Sequence, residues 1–212
     1  MVVAVQYISK ERGGDQSRGV TGILAVQGAF AEHAAMLDRL GAPWRLLRAA
    51  DDFDDSIARV ILPGGESTAQ SKLLHSSGLF DPIAAHIKAG KPVLGTCAGL
   101  ILLAEHVETA DGDTITDRHD GPYFATLPVH VRRNAYGRQL GSFHTTAPFE
   151  GIGTIPMTFI RAPFITSVDD GAETLATVDG HVVAARSGNQ IGISFHPELD
   201  SDTRLHEAFL AL

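Results

Sequence analysis

Apolar residues in this chain come in short blocks whose spacing changes from block to block. TGILAVQG, residues 21–28, is almost wholly apolar and closes on a glycine, the pattern of a strand buried on both faces. AFAEHAAMLDRLG follows with its apolar positions at helical spacing and Gly41 as its stop, so the pair predicts a β–α unit. WRLLR predicts a second strand, and ARVILPGGES a third that ends in a Gly-Gly turn. TAQSKLLHSSGLFDPIAAHIKAG predicts helical segments broken near Gly78 and Pro82. KPVLG and LILLAEHV then repeat strand and helix. Beyond Asp111 the pattern turns to β-rich segments, LPVHVRR, MTFIRAP, ETLATVDGHVVAAR and QIGISF, with turns at Asp179-Gly180 and Ser187-Gly188-Asn189. TRLHEAFLAL closes the chain as a helix.

Strands that are nearly all apolar and alternate with helices predict an α/β fold: a doubly wound, mostly parallel sheet with helices on both faces and a β-rich flank. No linker divides residues 20–212, which read as a single domain. Residues 1–19 read as an N-terminal extension with a flexible middle, because their charges do not precede an apolar core as in a signal peptide. DGDTITDRHDG, residues 111–121, reads as an exposed loop.

Composition narrows the function classes. The chain has no run of about 18 apolar residues, the length that predicts a membrane span. With 17 basic and 25 acidic residues the formal charge is −8, which argues against a sequence-independent nucleic-acid surface. A single cysteine rules out an internal disulfide and a cysteine-based zinc cluster, and fits a cytoplasmic location. Neither a metal nor a cofactor is expected.

That cysteine, Cys97, sits in GTCAG at a predicted strand-to-helix junction. Small residues two positions either side of a nucleophile are what a tight nucleophile elbow demands, since bulkier neighbours at Gly95 and Gly99 would strike adjacent backbone. GTCAG alone is equally compatible with a packed cysteine beside a Gly-rich turn. A thiol nucleophile needs a base and a group to orient it. Of ten histidines, His196 stands out: it follows the apolar strand IGISF, and Glu198 lies two residues on, on the same side of an extended segment. HPE by itself also fits a solvated strand end. LPGGES, residues 62–67, would end on the same rim of a parallel sheet, where ligands bind. Gly64 and Gly65 allow close backbone approach, and the N–H groups of Gly65 and Ala98 could together form an oxyanion hole.

GTCAGL, FHPE and LPGGES, in this chain, resemble the class I glutamine amidotransferases. GILAVQGAFAEH, RNAYGRQ and FIRAP make the chain similar, from about Gly22 onward, to the glutaminase subunits of pyridoxal 5'-phosphate synthases. The resemblance implies a flavodoxin-like fold. It implies Cys97 as nucleophile, His196 as general base and acid, and Glu198 as its orienting group. It also implies that L-glutamine is held by Gly65, Glu66, Ser67, Arg133, Ile160 and Arg161. Ammonia would pass to a separate barrel-shaped synthase subunit, in an assembly of twelve synthases and twelve glutaminases. Gln27 is the candidate for relaying partner contact, and the isolated glutaminase is expected to be nearly idle.

RNAYGRQ and FIRAP argue against subunits serving histidine, tryptophan or guanine nucleotide synthesis, which would share the triad. The triad residues argue against a catalytically silent regulator. Residues 1–19 and the long 111–122 stretch depart from the family pattern.

Overall fold

The computed structural model describes residues 19–109, 123–133 and 142–212. The expectations for the N-terminal extension, apart from Gly19, for the 111–122 stretch and for RNAYGRQ beyond Arg133 lie outside the described residues. The first half of the fold is β1 (Val20–Leu24), α1 (Phe30–Arg39), β2 (Trp44–Leu47), β3 (Ile57–Leu62), α2 (Ser67–Ser76), α3 (Phe80–Lys88), β4 (Val93–Thr96) and α4 (Ala98–Leu103). Then come β5 (Ala104–Glu108), β6 (Leu127–Arg132), β7 (Ser142–Phe149), β8 (Gly153–Ile160), β9 (Phe164–Val168), β10 (Glu173–Val178), β11 (His181–Ser187), β12 (Gln190–Ile193) and α5 (Arg204–Leu210).

The strands run β2-β1-β3-β4-β12 and are all parallel across that stretch. This is the order of a doubly wound sheet, whose ligand crevice lies at the C-terminal strand ends. From β12 the sheet continues through antiparallel β11 to β9, β6 and β5, with β10 hanging on β11. β7 and β8 form a separate antiparallel pair.

Successive strand residues point to opposite faces, and the core divides accordingly. Leu24, Val60 and Leu62 pack with Leu74 of α2, Ile83 of α3 and Leu100 of α4 on one face. Ile23, Ile61, Leu94 and Ile193 pack with Leu37 of α1, Phe209 of α5, and Met157 and Phe159 of β8 on the other. Full burial of each such side chain contributes roughly 1.5–3 kcal/mol. Both faces being covered explains why these strands read as unbroken apolar runs.

Two local expectations are corrected, and one strand appears where none was named. LILLAEHV is helical only to Leu103; Ala104 turns to ψ 135° and the next residues pair in parallel with β6. A partner strand distant in sequence overrides the local helical spacing. Ser142–Phe149 is a strand the periodicity did not single out, because Thr145, Thr146 and Pro148 dilute its alternation. HPELDSD is not extended: Pro197–Leu199 forms a 3-10 turn, with Pro197 at its first position, where proline's fixed φ suits a helical start.

Candidate active site

Cys97 occupies the single residue between β4 and α4, with φ 49° and ψ −98°. That conformation is rare for a residue with a side chain, and here the packing enforces it. A Cβ at Gly95 would stand 2.6 Å from the Gly99 backbone, and one at Gly99 would stand 2.0 Å from the Leu62 carbonyl oxygen. The Cys97 N–H is tied to the Ile193 carbonyl at 2.8 Å, which locks the turn to the neighbouring strand. Cys97 is buried, with 7% of the residue exposed.

β12 carries the chain past Phe195 to His196, whose N–H bonds the Thr158 carbonyl of β8 at 2.8 Å. The 3-10 turn then places Glu198 Oε1 2.7 Å from His196 Nδ1. His196 also hydrogen-bonds Cys97. Burial works against charge on the imidazole, yet the hydrogen bonds to Cys97 and Glu198 and the fields of both groups outweigh it, raising His196 to about 10. His196 therefore keeps its proton at neutral pH and faces the sulfur as an acid. Glu198 is held below the usual carboxylate range: burial opposes its charge, and His33 together with the bond from His196 overcomes that.

Two histidines that the sequence left without a role complete this cluster. His33, on the buried face of α1, is fully buried, with Nε2 3.4 Å from Glu198 Oε2 and 3.3 Å from Thr96 Oγ1. Its Nδ1 lies 3.0 Å from His206 Nε2 of α5. Burial lowers the pKa of both rings, that of His206 to about 3. His33 hydrogen-bonds Thr96 through Nε2 and His206 through Nδ1, so two imidazoles and a hydroxyl form one buried chain behind Glu198. The signal was present in the sequence, since His33 shares the helical face of Phe30, Ala34 and Leu37.

The PGGE turn closes the site from above. A Cβ on Gly64 would stand 2.2 Å from His196 Cε1, so the backbone there lies directly on the imidazole. The Gly64 carbonyl accepts from the Ala29 N–H at 2.9 Å, and in a trans peptide this points the Gly65 N–H the opposite way. Gln27 Oε1 accepts the Glu66 N–H at 2.8 Å and sits where a Gly65 side chain would be. Glu66 caps α2 through bonds from the Thr68 and Ala69 N–H groups at 3.0 and 2.7 Å, and also accepts from Arg133 at 3.2 Å. Ser67 is the first residue of α2 and Ala98 the first of α4. Ile160 ends β8 and Arg161 follows it, both exposed, two and three residues beyond the Thr158 that anchors His196; Arg161 has φ 44°.

Gly64→Ala is expected to keep the fold and to lower turnover about 10²-fold, since the methyl group must push the imidazole off the sulfur, and misplacement by about 1 Å costs that much. Steady-state kinetics beside a thermal melt checks both halves of this expectation.

The chain as a whole has clear relatives. A chain from Bifidobacterium longum named "Pyridoxal 5'-phosphate synthase subunit PdxT" is 62% identical over 91% of this chain and all of its own length. One from Streptococcus pneumoniae with the same name is 52% identical over 89% of this chain and 95% of its own. A crystal structure of a glutamine amidotransferase aligns with TM-score 0.82 and 38% identity, covering 91% of this chain and 98% of that one. A structure of PurLQS from Thermotoga maritima, at TM-score 0.60 and 15% identity over 91% of this chain and 97% of that one, shares the fold alone. The model of the SNO glutamine amidotransferase family matches residues 23–212, and the chain belongs to that family.

Proposed function

We propose that this glutamine amidotransferase hydrolyses L-glutamine to glutamate and ammonia, and hands the ammonia to a separate synthase subunit that makes pyridoxal 5'-phosphate. The observation that carries the chemistry is the chain of contacts from Cys97 to His196 and from His196 Nδ1 to Glu198 Oε1 at 2.7 Å. In this reading the sulfur attacks the side-chain amide carbon, forming the C–S bond and a tetrahedral oxyanion. The C–N bond then breaks as His196 gives its proton to the departing nitrogen, releasing ammonia. Water, deprotonated by the now neutral His196, attacks the thioester; the C–S bond breaks, and glutamate leaves with thiolate and imidazolium restored.

The Gly65 and Ala98 N–H groups are assigned to the oxyanion. The amino acid end of glutamine is assigned to Gly65, Glu66, Ser67, Arg133, Ile160 and Arg161, with Arg133 for the α-carboxylate and Glu66 for the α-ammonium. The Arg133–Glu66 pair supports this, since the two opposite charges already stand side by side at the rim. Residues 20–212 act as one catalytic unit, in support of which one ten-stranded sheet joins the parallel and antiparallel halves. The names carried by the relatives support the synthase as partner. The assembly is read as twelve of each subunit, in the cytoplasm. Among the described residues no helix is long and apolar enough to cross a membrane.

Coupling to the partner has a physical route through Gln27 and the Gly64–Gly65 peptide. Glycine on both sides lets that peptide turn over with little steric cost, at the expense of the Ala29 N–H bond, about 1 kcal/mol net. A docked partner that reorders the Gln27 loop can thereby aim or withdraw the oxyanion donor. Adding the synthase subunit is expected to raise glutamine turnover at least about tenfold, with Gln27→Ala blunting the rise. Glutamate release measured with and without the synthase tests the reading, and equal rates would refute the coupling.

A further inference from the structure

At the edge of the large sheet farthest in order from β2, three strands gather residues that the glutaminase reaction does not use. β5 and β6 run parallel with His106 opposite His130, and β9 lies antiparallel on the other side of β6, with Asp169 immediately beyond its last residue. The two imidazoles stack with centroids 4.2 Å apart. His130 Nε2 is 3.3 Å from Asp169 Oδ2, and one ligand atom from each of the three residues lies within 4.8 Å of the others. His106 and Asp169 border an open cleft of about 570 Å³ that Glu105, Pro128 and Asp170 also line.

We propose that His106, His130 and Asp169 form a binding site for a divalent transition metal of the Zn²⁺ type. Bonds of about 2.0–2.2 Å at tetrahedral angles put neighbouring ligand atoms about 3.3–3.5 Å apart, the separation already found between His130 and Asp169. All three side chains are partly exposed, so an ion reaches them without unfolding, and the cleft leaves a fourth position for water. Two imidazoles with one carboxylate select zinc, nickel or copper over magnesium and calcium, which prefer all-oxygen sites.

The surroundings favour the same conclusion. Glu108 Oε1 stands 4.0 Å from His130 Nδ1, while Arg132 holds the other Glu108 oxygen at 3.0 and 3.2 Å. With Nε2 on the metal, Nδ1 carries the hydrogen and points it at Glu108, the outer carboxylate that commonly orients a metal-binding histidine. Glu105, Glu108, Asp169 and Asp170 outnumber Arg132 around the cleft, so the local charge attracts a cation. The ion would tie β5, which directly follows α4, the helix just after Cys97, to β6 and β9.

The test is isothermal titration of chelator-stripped, tag-free Cys97→Ala protein with ZnCl₂; the substitution removes the active-site thiol as a competing ligand. One ion per chain is expected with a dissociation constant below about 100 µM, while MgCl₂ gives no binding at that level. His106→Ala, His130→Ala and Asp169→Asn should each weaken binding at least about tenfold, and Glu108→Gln should do so to a lesser degree or equally. Thermal melts confirm that each variant is folded, and a Zn²⁺-induced rise in Tm should vanish in His130→Ala. A constant above about 100 µM in the starting protein overturns the site, and so does zinc binding of unchanged strength in the folded His106→Ala, His130→Ala double variant. Neither outcome bears on glutamine hydrolysis, which is measured separately.

Discussion

Cys97→Ala is expected to remove glutamine hydrolysis altogether, by about four orders of magnitude or more, with or without the synthase partner. The size follows from the reaction: without sulfur there is no thioester route, and residues that act as a unit lose nearly everything when one is removed. The fold should survive, because a methyl group fits where a buried sulfur stood and the Cys97 N–H bond to Ile193 does not involve the side chain. A second readout separates this from generalised damage. His196 is raised to about 10 by its contacts with Cys97 and Glu198 against the pull of burial. Deleting the thiol removes one raising contact and leaves the lowering one, so the His196 pKa must fall. An NMR titration of His196 in both proteins decides it, and an unchanged value would show that the sulfur does not hold the imidazolium.

Glu198→Gln is expected to lower turnover by about three orders of magnitude while leaving affinity for glutamine little changed, much as neutralising the carboxylate of a serine-protease triad does. Glutamine fills the same space and still accepts from His196 Nδ1, so geometry persists while the negative charge that sustains the imidazolium is gone. His33 acts as a positioning residue and its loss is milder. His33→Ala should cost about 10- to 100-fold in kcat with little change in KM, because Glu198 Oε2 loses the imidazole packed 3.4 Å from it and the side chain gains room to rotate. His33→Gln, which keeps a donor, should recover much of that. Steady-state kinetics across pH separates these outcomes: a structural role alone would move stability and not the kcat profile.

The parts of the fold legible from residue order were those governed by near neighbours. Strands buried on both faces announce themselves as apolar runs, which is why β1, β3, β4 and β12 could be read directly. The Asp179-Gly180 turn was legible for a similar reason: both residues have positive φ, 50° and 80°, a conformation suited to that dipeptide. β5 was misread because its helical spacing is real and only β6, which lies beyond a long connection, pulls it into the sheet. Glu198 was placed beside His196 by assuming an extended chain, whereas Pro197 starts a 3-10 turn that brings the same two groups together by a different path.

Residue order alone determined the elbow glycines around the lone thiol, the HPE sequence after a buried strand, the Gly-Gly turn on the shared rim, and through them the chemical class. What only the tertiary structure decided is which histidines matter and how they are charged. His33 and His206 come from helices at opposite ends of the chain and meet behind Glu198; His106 and His130 meet across two paired strands. The physical reason is that local sequence sets backbone conformation through sterics and periodicity, whereas the proton affinity of a side chain depends on burial and on charges brought near it by distant segments.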